Sequence, residues 1–232
     1  MAILVLTRPE EASRRFLAAV ETCMGGPVAN ILSPAIEIED VANGPIPEGV
    51  ASVILTSEQG ALRARSAGAR AGMTAWCVGD RTAEVARREG FAAVSVGGDV
   101  EALIAAILKA QPNAPLAHIR GEQTTGDVSV RLTKAGHLTH DLVVYRQKDF
   151  PLSPEVFEAL AGGETLVVPL FSPRSAEAFL RQVEPTDPLR IVAMSKAVAD
   201  KAAACGARDA LVAERPDLEA MALATCRRIS MA

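Results

Sequence analysis

Tyr145 is the only tyrosine in this chain of 232 residues, and it ends the apolar run Leu142-Val-Val-Tyr145. The polar stretch Arg146-Gln-Lys-Asp149 and Pro151 follow at once and read as a connection between larger parts. A phenol at such a strand end either packs with its hydroxyl at the surface or faces a ligand. Facing a ligand it is a proton donor at neutral pH, because phenols titrate near ~10. Small and hydroxyl residues close other apolar runs: Thr7, Thr56-Ser57, Gly79, Gly121, Ser172 and Ser195. Hydroxyls and bare amides at strand ends, each opening a helix, suit a carboxylate or phosphate ligand. Taken singly, each also reads as an ordinary helix N-cap.

Other chemistry fails on its own spacing. Gly121-Glu-Gln-Thr-Thr-Gly126 has the outline of a phosphate-binding loop, but Asp127-Val128 stands where lysine and a hydroxyl residue are needed. No GxGxxG follows a strand, so a dinucleotide site lacks its fingerprint. The three histidines, His118, His137 and His140, show no metal-type spacing with cysteine or acidic partners. His137 and His140 read as the exposed entry to a strand. Ser57 has no GxSxG context. Glu37 and Glu39 lie on one face of a strand and read as a surface pair, while Arg63, Arg65 and Arg70 read as a solvated helix face. Cys23, Cys77, Cys205 and Cys226 are widely spaced and read as free thiols.

The elements that must hold these residues alternate along the chain. Apolar runs at Ile3–Leu6, Val53–Leu55, Ala75–Val78, Ala93–Val96, Leu116–Ile119, Leu142–Tyr145, Leu166–Val168, Arg190–Ala193 and Ala210–Val212 read as strands. Helical periodicity marks Glu10–Met24, Gln59–Arg70, Thr82–Glu89, Val100–Ala110, Pro173–Val183 and Ala197–Cys205. Repeated strand, helix, strand predicts an α/β fold of parallel sheets covered by helices. Aromatics make up only 3% of the chain, so the cores must be built from Ala, Val, Leu and Ile. The length suits two domains.

The halves echo each other. Val53-Ile-Leu-Thr-Ser57 is followed by Val168-Pro-Leu-Phe-Ser172, Cys77-Val-Gly-Asp80 by Ala193-Met-Ser-Lys196, and Asp99-Val-Glu-Ala-Leu103 by Asp217-Leu-Glu-Ala-Met221. The offsets are 115, 116 and 118 residues, which points to a duplicated unit and a ligand cleft between two similar domains. A net charge of −4 argues against a non-specific nucleic-acid binder and leaves room for an anionic small molecule. The apolar start Met1–Leu6 is cut at once by Thr7-Arg8-Pro9, and no stretch approaches transmembrane length, so a cytoplasmic protein off the membrane is expected.

The ordered series Leu6-Thr-Arg-Pro9, Ile54-Leu-Thr-Ser57, Val78-Gly-Asp-Arg-Thr-Ala83, His118-Ile-Arg-Gly121, Val143-Val-Tyr145 and Phe171-Ser-Pro173 resembles the uroporphyrinogen-III synthase family along essentially the whole chain. The resemblance implies two similar α/β domains, each a parallel sheet flanked by helices, joined by a two-stranded connector with a cleft between them. Residues 1–35 would join 147–232, residues 40–142 would form the other domain, and about 34–39 and 142–146 would connect them. Periodicity alone would cut the chain near Pro112–Pro115 instead.

The same resemblance implies a hydro-lyase that turns hydroxymethylbilane into uroporphyrinogen III, as a monomer without metal or organic cofactor, and with no nucleic-acid or membrane partner. Tyr145 would be the acid for the departing hydroxyl. Thr82, Ser57, Ser172, Arg8, Gly79, Gly121 and Ser195 would bind substrate, with Arg81 and Lys196 as weaker candidates. There is one departure. Where the family's C-terminal repeat reads Gly-x-Thr-Thr or Gly-x-Thr-Ala, this chain has Ser195-Lys-Ala-Val198. That leaves open a non-catalytic two-domain binding or sensor protein on the same fold, or a purely structural module.

Overall fold

A computed structural model describes residues 2–42, 44–123, 126–184 and 188–231. The elements run β1 (Ala2–Leu6), α1 (Glu10–Met24), β2 (Asn30–Leu32), β3 (Ile36–Asp40), β4 (Ser52–Leu55), α2 (Glu58–Arg63), β5 (Thr74–Cys77) and α3 (Asp80–Arg88). They continue with β6 (Ala92–Ser95), α4 (Val100–Ala110), β7 (Leu116–Gly121), α5 (Val128–Lys134), β8 (Thr139–Asp149) and α6 (Pro154–Ala161). The chain ends with β9 (Thr165–Leu170), α7 (Pro173–Leu180), β10 (Leu189–Ala193), α8 (Lys196–Ala204), β11 (Ala210–Val212) and α9 (Leu218–Ser230). Two compact units result, Met1–Glu37 with Lys148–Ala232, and Ile38–Gln147. The chain passes from one to the other within β3 and again within β8.

The central unit carries the sheet β3-β8-β7-β4-β5-β6, with parallel pairing from β8 through β6. Side chains alternate across a strand, and β4 shows the consequence. Val53 and Leu55 face one layer with Ala61, Ala83, Ala86 and Ile119, while Ile54 faces the other with Leu103, Ile107 and Leu132. All four β4 residues are buried, as expected of a central strand covered on both faces.

The terminal unit carries β11-β10-β9-β1-β2, parallel throughout. Val168, Leu170 and Ile191 pack against α7 and α8 through Phe179 and Val198. Leu4, Leu6, Val167 and Val192 pack on the other face against Phe16, Val20 and Met221 of α1 and α9.

Following the two sheets from β6 and from β11 gives the same order of strands, with β4 matching β9, β5 matching β10 and β7 matching β1. The echoed sequences are helix N-caps in both units. Ser57 and Ser172 accept from the amides of Gly60 and Ser175, each at 3.0 Å, and Asp99 and Asp217 accept from Ala102 and Ala220 at 3.0 and 2.8 Å. The echoed sequences thus occupy matching positions in the two units, each opening a helix. The helix expected over Gln59–Arg70 is shorter, because α2 stops at Arg63 and the chain turns toward Gly68, whose φ of +98° no other residue adopts cheaply. β2, α6 and α9 are additions to the sequence reading.

Candidate active site

In the central unit the carboxyl end of β4 meets α2 at Thr56-Ser57, and β8 runs past Gly121 at the end of β7. Gly121 and Tyr145 are partners across these strands, beyond an irregularity at Arg120/Gly121 that shifts the register. The Tyr145 ring lies on the Gly121 backbone so closely that a methyl there would sit 2.7 Å from Cζ and 3.0 Å from the phenol oxygen. Tyr145 Oη is 3.0 Å from Ser57 Oγ, which also caps α2. The guanidinium of Arg63 stacks over the ring, 5.6 Å from its centroid, and is held by Asp40 at 2.6 Å and by the Gln59 side chain at 2.5 Å. Arg63 therefore belongs to the phenol's surroundings, a correction to its reading as part of a solvated face.

The neighbouring turn brings Gly79 to the N-cap of α3, with Thr82 buried in its first turn. Arg81 joins the starts of α2 and α3 through Glu58 at 3.2 Å and Glu84 at 2.6 Å, so its charge is already balanced. The loop residues Thr124 and Thr125 of the GxxxxG stretch lie outside the described residues.

A second polar group occupies the opposite face of the same sheet edge. Thr56 Oγ1 is 3.2 Å from His118 Nε2, and His118 Nδ1 is 3.2 Å from Asp141 Oδ1. Arg120 Nε donates to Asp141 at 2.9 Å and Ser129 Oγ at 2.6 Å. Burial opposes ionisation of Asp141, but the hydrogen bonds from His118, Arg120 and Ser129, with the Arg120 charge, outweigh it and hold this carboxyl well below the usual carboxylate range. Sequence reasoning missed this group because 23 residues separate His118 from Asp141, and only the pairing of β7 with β8 places them opposite each other.

In the terminal unit, Arg8 at the end of β1 stacks 4.4 Å above Phe171 at the end of β9, and Phe16 meets Phe171 edge-on at 5.0 Å. Ser172 follows and is tied into a capping box with Ser175. Ser195 caps α8 through its backbone alone, with φ −154° and ψ 168°, beside −152° and 169° at Gly79. Three residues on, buried Val198 stands where the other repeat has Thr82. Lys196 is exposed and paired with Asp200 at 2.7 Å. A cavity of about 250 Å³ in this unit is lined by Leu180, Pro188, Arg190 and Cys205 at the amino end of β10, so none of the candidate residues borders it. Among the described residues no group of three His, Cys, Asp or Glu side chains gathers as metal ligands would. Among them no helix is long and apolar enough to cross a membrane.

Residues 27–222 match the family described as uroporphyrinogen-III synthase HemD. The chain belongs to this family. Among solved structures, uroporphyrinogen-III synthetase from Helicobacter pylori is similar at a TM-score of 0.70 and 16% identity, over 99% of this chain and 98% of that one. A mutant uroporphyrinogen III synthase from the extremely thermophilic bacterium Thermus thermophilus is similar at 0.52 and 19% identity, over 100% of both chains. At these identities the structures establish the shared two-domain α/β fold. No curated protein matches the sequence significantly.

Of the residues expected to serve a uroporphyrinogen-III synthase, the fold gathers Tyr145, Ser57 and Gly121 at one point and sets Gly79 and Thr82 on the next turn of the same sheet. Arg8, Ser172 and Ser195 stand on the corresponding turns of the terminal unit. At the third and fourth positions of the family pattern stand exposed Ala197 and the apolar core residue Val198, and Ser195 stands at the start of the same turn.

Proposed function

We propose that the protein closes hydroxymethylbilane into uroporphyrinogen III, releasing water and inverting the last pyrrole ring. Membership of the family carries this reading. The geometry around Tyr145 supports the role of acid. Ser57 Oγ accepts the Gly60 amide and still has its own proton to give; donated to Tyr145 Oη, it leaves the phenolic proton free for the substrate. As the C–O bond of the hydroxymethyl group breaks, that proton converts the departing hydroxide to water. The azafulvenium cation is attacked by the far pyrrole to give a spiro intermediate, which fragments and recloses. The proton released when the last pyrrole regains aromaticity balances the one donated.

The remaining work is positioning, which lowers a barrier by fixing both ends of a flexible chain. On this reading Thr82, Gly79 and Gly121 in one unit, and Ser172, Arg8 and Ser195 in the other, hold substrate. The protein acts without cofactor, as a cytoplasmic monomer whose parts 1–35 with 147–232 and 40–142 are joined through about 34–39 and 142–146. Supplying hydroxymethylbilane and separating the product isomers tests the reaction. Added protein should divert hydroxymethylbilane from spontaneous closure, which gives the symmetric isomer, to the type III product; an unchanged isomer ratio would leave a binding module on a synthase fold. Ser57→Ala is expected to lose roughly 10-fold in rate, as for one hydrogen bond to developing charge. It should also lose ~0.5–2 kcal/mol of stability with the α2 cap. Parental kinetics in a destabilised Ser57→Ala protein would confine that serine to capping.

A further inference from the structure

The Thr56–His118–Asp141 chain plays no part in the proton transfer described above, yet its donors and acceptors can be assigned. Asp141 receives Arg120 Nε at 2.9 Å and Nη2 at 3.4 Å, Ser129 Oγ at 2.6 Å and His118 Nδ1 at 3.2 Å. A carboxylate only accepts, so Nδ1 carries a proton. His118 is 1% exposed, and Asp141 is already balanced by Arg120. A second proton on the ring would add an unbalanced buried charge. Nε2 is then a bare acceptor, and the Thr56 hydroxyl, 3.2 Å away, must donate to it. Thr56 itself is half-buried at the carboxyl end of a central strand.

We infer that His118 and Asp141 are positioning residues that commit the Thr56 proton inward, so that its oxygen meets substrate only as an acceptor. The ligand group it suits is a neutral donor, a pyrrole N–H, rather than a carboxylate. This inference rests on the synthase reading. It divides the sheet edge by chemistry: Ser57 and Tyr145 present a proton on one face, and Thr56 presents lone pairs on the other. A histidine buried merely to tie β7 to β8 would satisfy the same distances but would not set the chemistry of Thr56.

Nitrogen-15 spectra of the imidazoles test the first half directly on the parent protein, which has only three histidines. The expected signature for His118 is protonation at Nδ1 alone. In Asp141→Ala no acceptor remains for an Nδ1 proton, whereas Thr56 can still accept from Nε2, so the ring should change to the Nε2-protonated tautomer. Thr56 then accepts from the ring, and its own proton is released to turn outward against the substrate's donor. KM for hydroxymethylbilane should then rise roughly 2- to 10-fold, the range of one uncharged hydrogen bond, with kcat little changed. Thr56→Val should give a similar rise, and Asp141→Ala should add nothing to it. Protonation at Nε2 in the parent, a parental KM in Thr56→Val, or additive effects of the two changes would each overturn the inference. Failure of the synthase reading shows separately, as absence of type III product from the parent protein, while the tautomer remains readable.

Discussion

Tyr145→Phe is expected to slow formation of the type III macrocycle by about 10²-fold, the low end of the ~10²–10⁴ range for a general acid. The low end follows from the substrate, whose electron-rich pyrrole already expels hydroxide. A water in place of the phenol oxygen would recover part of the remainder. The ring itself stays, so its packing on Gly121 and under Arg63 is retained and the melting temperature should hardly move. Loss should appear in kcat, since the proton is required as the C–O bond breaks and not when substrate binds. The measurement is the initial rate of type III product at saturating hydroxymethylbilane, alongside a melting curve. An unchanged rate would end the acid assignment and leave positioning as the whole catalysis.

The place of the phenol at a strand end was legible in the sequence because its features were local, whereas its role as acid came only from the family resemblance. Tyr145 is the sole tyrosine, it closes an apolar run, and it precedes a polar connection. The paired N-caps were legible for the same reason: Ser57 and Ser172, or Asp99 and Asp217, sit at near-constant offsets in repeated strand–turn–helix units. What remained hidden depended on strand order. β7 lies between β4 and β8, so His118 reaches Thr56 on one side and Asp141 on the other across gaps of 62 and 23 residues. No periodicity encodes that order. Arg63 was misread for a related reason, since a helix pattern alone cannot say that Tyr145 and Asp40 come from β8 and β3 to cover it.

Gly121→Ala should be more damaging than its size suggests, because the added methyl has no room under the tyrosine. It would meet Cζ at 2.7 Å, Cε2 at 2.8 Å and the phenol oxygen at 3.0 Å. Gly121 does not need glycine for its own conformation; it is not among the residues with positive φ. The collision is therefore the whole effect. A ring buried to 7% exposure against Arg63 cannot swing freely away, so the strain of overpacking, ~1–3 kcal/mol, should lower the melting temperature by several degrees. Whatever displacement relieves it carries Oη away from Ser57, so turnover should fall at least as far as in Tyr145→Phe. The two positions should also be strongly non-additive. In a Tyr145→Ala background the methyl meets no ring, and alanine in a strand is the better residue by ~0.5–1 kcal/mol, so Gly121→Ala should become neutral or stabilising there. This reversal of sign separates a pinned tyrosine from a generally intolerant strand. Equal destabilisation by Gly121→Ala in both backgrounds would show that something other than the Tyr145 ring excludes the side chain, and the close approach of glycine and phenol would then have no part in holding the acid.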